Sequence, residues 1–186
     1  MNRRDLLQLL GSAAIAPALA PLSAERQLEI GRTIHASLGA LQLRVLSPAQ
    51  NAAVVAVAEA IIPRTDTPGA TDARVNEFID LLLADWYKDE DRDRFLRGLD
   101  AIDAEAKAEG GTPFAAARPV VQQKLLERWD SAESGPETAT AAFKRLKNLT
   151  VYGYFTSEIA VKEVTKPVIF HPAFEGCVPF PAGGAR

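Results

Sequence analysis

Very few residues of this chain could carry out catalysis or bind a metal. It has a single cysteine, Cys177, and two histidines, His35 and His171. Covalently bound haem requires a Cys-x-x-Cys-His motif, and iron–sulfur clusters and structural zinc sites use several cysteines, so one cysteine excludes all three. Neither histidine has a glutamate three residues before it, which excludes the Glu-x-x-His pattern of di-iron helical bundles.

The carboxylates do not suggest a reaction either. Acidic residues cluster between Asp85 and Asp93, but Lys88 and Arg92 alternate with them, which is typical of a solvated charged surface rather than of an acid–base pair or a calcium loop. The sequence contains no glycine-rich nucleotide-binding motif. A Ser-His-Asp triad would need one of the two histidines, which we interpret as ordinary polar residues. The sequence therefore predicts no catalytic residue, no metal ligand and no cofactor-binding residue.

Residues 1–20 have the pattern of an export signal. Arg3 and Arg4 precede a mildly apolar run that ends in Ala18-Leu19-Ala20, which is typical of a twin-arginine leader. The run is too short for a membrane-spanning helix, which needs about 20 apolar residues. We therefore expect export to the periplasm. The twin-arginine route exports proteins that are already folded, typically with a cofactor inserted. Pro17 and Pro21 disfavour cleavage at the small-residue sites, so retention of the leader stays open.

The rest of the chain has the composition of one helical domain. Its 186 residues are 47% hydrophobic with a net charge of −3, and they show no basic stripe with interleaved aromatics, so nucleic-acid binding is not expected. Apolar residues at helical spacing predict an all-α domain of about five helices over residues 47–166. The predicted helices are 48–62, with Ser47 as N-cap, then 74–88, 89–109, 118–130 and 137–164. We expect a linker with partial helix at 21–46 and an extended proline-rich tail at 167–186.

Two further features have more than one interpretation. Tyr152, Gly153, Tyr154, Phe155 and Thr156 follow one another, and consecutive helical residues point about 100° apart, so three aromatics cannot all face one core. The segment is either a helix buried on most sides or a surface that meets a partner. Cys177, in a turn-rich segment, cannot form an internal disulfide. It is either a bridge to another chain or a free thiol.

Four segments carry a resemblance to a known family. They are Ala60 to Ala70 (AIIPRTDTPGA), Val75 to Asp80 (VNEFID), Tyr152 to Glu158 (YGYFTSE) and Gly176-Cys177. Together they resemble the gluconate 2-dehydrogenase subunit 3 family, and the resemblance extends over about residues 47–179.

This resemblance implies a small, non-catalytic subunit of an oxidoreductase complex. The partner would be a large FAD-dependent dehydrogenase of the glucose-methanol-choline type that oxidises a sugar, a sugar acid or a polyol. The small subunit would escort it through the twin-arginine route and assist its folding as a chaperone. No cofactor is expected in this chain. FAD would lie in the partner, and a multihaem cytochrome c subunit or an iron–sulfur cluster is a further option for electron transfer. Any association with the inner membrane would come through the complex.

Specific residues acquire roles from this resemblance. Arg3 and Arg4 become the export signal of the complex, and the segment from Tyr152 to Thr156 becomes a candidate partner interface. Cys177 becomes a candidate for an intersubunit disulfide. The alternatives are a stand-alone periplasmic binding module and an enzyme with an unrecognised site.

Overall fold

The computed structural model describes residues 23–37, 43–133 and 138–166. Within these ranges the chain forms helices and no strand, which confirms the predicted all-α class. None of these helices has the length and apolar content that a membrane crossing requires. The helices are α1 (Ala24–Ser37), α2 (Pro48–Ile61), α3 (Val75–Asp85), α4 (Asp89–Gly110), α5 (Pro119–Ser131) and α6 (Ala139–Thr156), followed by α7 (Glu158–Ala160) and a π-helical turn (Val161–Thr165). A 3-10 turn, Phe114–Ala116, joins α4 to α5.

The helix ends follow the capping signals of the sequence. Ser47 and Gln50 form a capping box in which the Gln50 N–H donates to Ser47 Oγ at 3.3 Å and the Ser47 N–H donates to Gln50 Oε1 at 3.1 Å. Pro48 occupies the first turn of α2, where its missing N–H costs nothing. Gly111, in the left-handed conformation at φ 77°, ends α4 close to the predicted end of this helix at residue 109.

The prediction of one continuous helix over 137–164 was wrong. Helix α6 ends at Thr156, and the chain starts a new helical segment at Glu158. Ser157 accounts for the break, because its Oγ donates to the Tyr154 carbonyl at 2.6 Å and accepts from the Ala160 N–H at 3.2 Å. A serine in this arrangement is the N-cap of the next helical segment rather than an interior residue.

Helix α6 is the central element of the core. It packs against α1, α2, α3, α4 and α5. Two sets of aromatic rings fill the space around it. Phe78 meets Tyr152 edge to face with centroids 5.4 Å apart, and Trp129 lies between Phe114 and Phe143 at 5.7 and 5.8 Å. Such contacts add to the area burial of large rings, which dominates core energetics.

Helix α1 occupies much of the segment predicted to be a linker with partial helix. Gly31 lies against α6, where a Cβ would come within 2.9 Å of Thr156 Cγ2. Ile30 and Ile34 are buried in the common core. The Tyr152 hydroxyl donates to the Gln27 carbonyl, which ties α1 to α6. Close approach of two backbones is one reason for a glycine within a helix.

Asp80 on α3 holds the segment that leads into α2. Its side chain, 2% exposed, accepts the N–H groups of Arg44 at 2.7 Å, Val45 at 3.0 Å and Leu46 at 2.7 Å. Ionised carboxylates with several backbone donors form strong, charge-assisted hydrogen bonds. The Asp80 carboxylate therefore fixes residues 44–46 without any regular secondary structure there.

We predict that Asp80→Asn lowers the free energy of unfolding by about 2 kcal/mol, because the amide offers one acceptor oxygen to three backbone donors, of which the Leu46 N–H is buried and the other two are partly buried. The matched control is Asp85→Asn on the same helix, since Asp85 pairs with the Arg44 side chain at 2.8 Å and is half exposed. The control should lose less than about 0.5 kcal/mol. Denaturant unfolding of both variants checks this, and equal losses would contradict the role given to Asp80.

Candidate functional site

The connection between α2 and α3, residues 62–74, is held in shape by two carboxylates. We call it the motif loop. Glu59 accepts the Arg64 N–H at 2.9 Å through Oε1, and through Oε2 it accepts the Thr71 N–H at 3.1 Å and the Thr71 hydroxyl at 2.6 Å. Asp72 Oδ2 accepts the Gly69 N–H at 2.9 Å and Arg64 Nε at 2.9 Å. A proline- and glycine-rich segment thus has a defined conformation.

Gly69 is required by this arrangement. A Cβ at position 69 would lie 2.6 Å from the Arg64 backbone nitrogen and 2.7 Å from Glu59 Oε1. Neither neighbour can move without breaking the hydrogen bond that Glu59 accepts from the Arg64 N–H. The Pro68-Gly69 pair of the sequence therefore marks a close approach of the backbone to itself.

The hydrogen bonds also change the acidity of Glu59. Burial opposes its ionisation, but hydrogen bonds from the Thr71 side chain and from the Arg64 and Thr71 backbone outweigh burial, with a smaller contribution from the Arg64 charge. The pKa of Glu59 is consequently held below its ordinary value. The loop is thus stabilised by the ionised form of Glu59.

Tyr154 joins the motif loop to α6. Its hydroxyl donates to the Pro68 carbonyl at 2.5 Å, across 86 positions of sequence. Burial raises the pKa of Tyr154, and the negative charges of Glu163 and Glu59 raise it further, so the hydroxyl remains a proton donor. The segments at 60–70 and 152–158, recognised separately in the sequence, are therefore parts of one structural unit.

The structure places most of the proposed interface residues inside this chain's own core. Tyr152, Gly153, Tyr154 and Thr156 are buried, and Phe155 is half-buried with its ring edge-on to Tyr154 at 5.2 Å. A Cβ at Gly153 would lie 2.8 Å from Phe78 Cδ1. These contacts support the alternative of a helix buried on most sides, because in the free chain these residues already have partners.

Other residues singled out in the sequence lie outside the described residues. These are Arg3, Arg4, His171 and Cys177, while His35 lies in α1. In the described ranges no group of three or more histidine, cysteine and acidic side chains could hold a metal ion.

A surface groove runs between the motif loop and residues 157–163. It consists of two adjoining concavities of about 330 and 340 Å³, and Asp72, Ile159 and Glu163 line both. We call it the motif groove. Another cavity in the described part of the chain, between α4 and α6, has about 30 Å³ and holds no more than a water molecule. The motif groove is the larger candidate for binding.

Charged side chains on both walls of the motif groove form ion pairs. Arg64 pairs with Asp72, Arg74 with Glu77, and Lys162 with Glu158. These groups offer charge and hydrogen bonds at a surface, as in the rim of a protein interface. No pattern in the sequence indicates this groove. The end of α6, just before the helical wall, meets the motif loop through the hydrogen bond between Tyr154 and Pro68, which are 86 residues apart. No pattern within one segment contains that contact.

Comparison with known protein families identifies the family of this chain. The gluconate 2-dehydrogenase subunit 3 family matches residues 48–176. The chain belongs to this family. The match includes both walls of the motif groove and confirms the resemblance stated from the sequence. Searches of curated proteins and of solved structures returned no match. This family is a family of dehydrogenase-complex subunits.

We predict that Glu59→Gln destabilises the protein most at neutral pH. A lowered native pKa contributes stability above the unfolded pKa, and that contribution disappears as the pH falls through the native value. The difference in free energy of unfolding between the variant and the original chain should therefore shrink as the pH is lowered from about 7 to about 3. Denaturant unfolding at several pH values measures it.

Glu90→Gln is the control for this experiment, because Glu90 is exposed and forms no ion pair among the described residues. A difference for Glu59→Gln that stays constant across the pH range would contradict the stabilising role of the ionised carboxylate.

Proposed function

We propose that this chain is the non-catalytic small subunit of a periplasmic complex, and that it binds, exports and stabilises a large FAD-dependent dehydrogenase subunit. The observation that carries the proposal is the family match over residues 48–176. The large subunit would be of the glucose-methanol-choline type and would oxidise a sugar, a sugar acid or a polyol. FAD would belong to that subunit, and haem c or an iron–sulfur cluster to a further subunit or domain.

The arrangement of the N-terminal segment supports the export role. The twin-arginine pattern ends at Ala20, and α1 begins at Ala24. Helix α1 is fixed to the core by Ile30, Ile34 and the Tyr152–Gln27 hydrogen bond. The predicted leader is therefore joined by a short connection to a packed domain, as expected for a route that carries folded cargo.

The absorption spectrum of the purified full chain and its co-purifying proteins tests the proposal. Co-expression with the large subunit should yield flavin bands, and dehydrogenase activity should depend on that subunit. The chain purified alone should be colourless and inactive. Turnover by the chain alone would instead favour an enzyme with an unrecognised site, and a stable monomer that binds no flavoprotein would favour a stand-alone binding module.

We predict that replacing Arg3 and Arg4 by lysine leaves the dehydrogenase activity of the large subunit in the cytoplasm, because the twin-arginine pair is the recognised feature of the leader. Activity in separated periplasmic and cytoplasmic fractions is the measurement. Replacing Arg26 and Arg32, which lie on exposed positions of α1, by lysine is the control and should leave export unchanged. Normal periplasmic activity of the leader variant would rule out the escort role.

We also predict a disulfide between Cys177 and the large subunit, because an unpaired cysteine in an oxidising compartment is suited to an intermolecular bridge. Mass spectrometry of the non-reduced complex should find a cross-linked peptide pair that contains Cys177. Cys177→Ser should abolish the covalent species without removing the non-covalent complex. A free thiol at Cys177 in the intact complex would reject the bridge.

A further inference from the structure

Two residues have unusual backbone conformations, one in the lining of the motif groove and the other at the end of the segment that forms its helical wall. Arg74 has φ 53° and Lys166 has φ 38°, and they are the non-glycine residues with positive φ in the described ranges. Arg74 lines the groove, and Lys166 follows the helical segment that forms its other wall. The left-handed conformation is unfavourable for residues with a Cβ, and it concentrates at functional sites when the surrounding structure maintains it.

The wall opposite the motif loop is also irregular. Residues Val161–Thr165 form a π-helical turn, and such turns occur frequently at functional positions. The irregular turn follows directly on α7, which places Ile159, Lys162 and Glu163 along the groove. The conformations of both walls thus differ from the regular helices of the core.

The groove has negative charge that no ion pair within the described ranges neutralises. Its lining contains three cationic side chains, and each of them forms an ion pair: Arg64, Arg74 and Lys162. Two of its four carboxylates, Asp66 and Glu163, form no ion pair among the described residues. Asp66 is on the loop wall and Glu163 on the helical wall. The charge of Glu163 reaches Tyr154 beneath the groove, where it contributes to the raised pKa of that hydroxyl.

The concavity that Asp66 and Glu163 line also offers apolar surface. Ile159 and Pro68 are half-buried and line it. Each concavity has a volume at the lower end of the range for ligand pockets, which is about 300 to 1,000 Å³. Each concavity is therefore large enough for one side chain of a segment that crosses both. The charge and the apolar surface of the groove favour a segment with a cationic side chain next to an apolar one.

We propose that the motif groove binds an extended segment of the large dehydrogenase subunit, which places a lysine or arginine side chain between Asp66 and Glu163 and an apolar side chain on Ile159. This inference rests on the proposed function and names the surface through which it acts. Complementary charge at such a site fixes the register of the partner and excludes incorrect partners. The interface lies on the surface beside Tyr154 and not at the buried aromatic residues themselves.

Subunit exchange in the purified complex tests the proposal. Because the predicted disulfide through Cys177 would prevent exchange, every chain in this assay also carries Cys177→Ser. Complexes that contain the untagged chain are mixed with an excess of the tagged original chain, and the transfer of flavin absorbance to the tagged fraction gives the dissociation rate. Asp66→Lys and Glu163→Lys should each raise that rate at least about tenfold, which corresponds to the loss of one charge-assisted contact. Glu90→Lys and Glu133→Lys, at exposed positions remote in sequence from the groove, should change it less than about twofold.

Circular dichroism of each variant shows that it is folded before the exchange is measured. If the original chain forms a flavin-containing complex but the groove variants exchange at its rate, the groove inference fails and the proposed function stands. If the original chain retains no flavoprotein, the proposed function fails and the inference with it.

A photo-crosslinking residue identifies what occupies the groove. p-Benzoylphenylalanine in place of Ile159 should form a covalent product with a peptide of the large subunit that contains lysine or arginine. The same residue in place of Val120, which is exposed on α5, is the control and should give no such product. Products formed only with residues 167–186 of this chain, or with a second copy of it, would overturn the proposal.

Discussion

The packing of other helices around α6 is the constraint on which the rest of the structure depends. Leu146, Leu149 and Tyr152 on this helix are fully buried, and helices α1 to α5 all contact it. Burial on most sides explains why its sequence does not show the single apolar stripe of a surface helix. The close packing around α6 also explains the small residues where helices meet. Gly98 on α4 lies where a Cβ would meet Ala142 Cβ at 2.5 Å, so α4 can approach α6 only without that side chain.

Outside this apolar core, buried or partly buried carboxylates organise the connecting segments. Asp80 collects three backbone N–H groups before α2, and Glu59 collects two backbone N–H groups and a hydroxyl in the motif loop. Connecting segments have donors that no helix satisfies, and an unsatisfied buried donor is costly. The two carboxylates accept hydrogen bonds from these donors. Through these bonds Glu59 also holds the loop wall of the motif groove in place.

The location of the groove follows from the way α6 ends. Ser157 stops α6 and caps the next helical segment, while Tyr154 in the last turn of α6 binds the Pro68 carbonyl. Helix α6 therefore positions both walls of the groove. It holds the motif loop through the Tyr154 hydrogen bond, and the helical wall continues directly from its C-terminal end. In the proposed complex, a partner segment would bind to a surface whose geometry is set by the central helix of the domain.

Local chemistry in the sequence determined the helical class, the capping box at Ser47, the end of α4 at Gly111 and the family. These features depend on periodicity, on caps and on short motifs, each of which is contained in one stretch of chain. The three-dimensional packing decided what no stretch contains. It placed α1 on α6 through Gly31, divided the predicted last helix at Ser157, buried Tyr152 and Thr156, and brought the two family segments together at Pro68 and Tyr154. Those outcomes depend on contacts between residues far apart in sequence, and the free energy of such contacts exists only once the chain has folded.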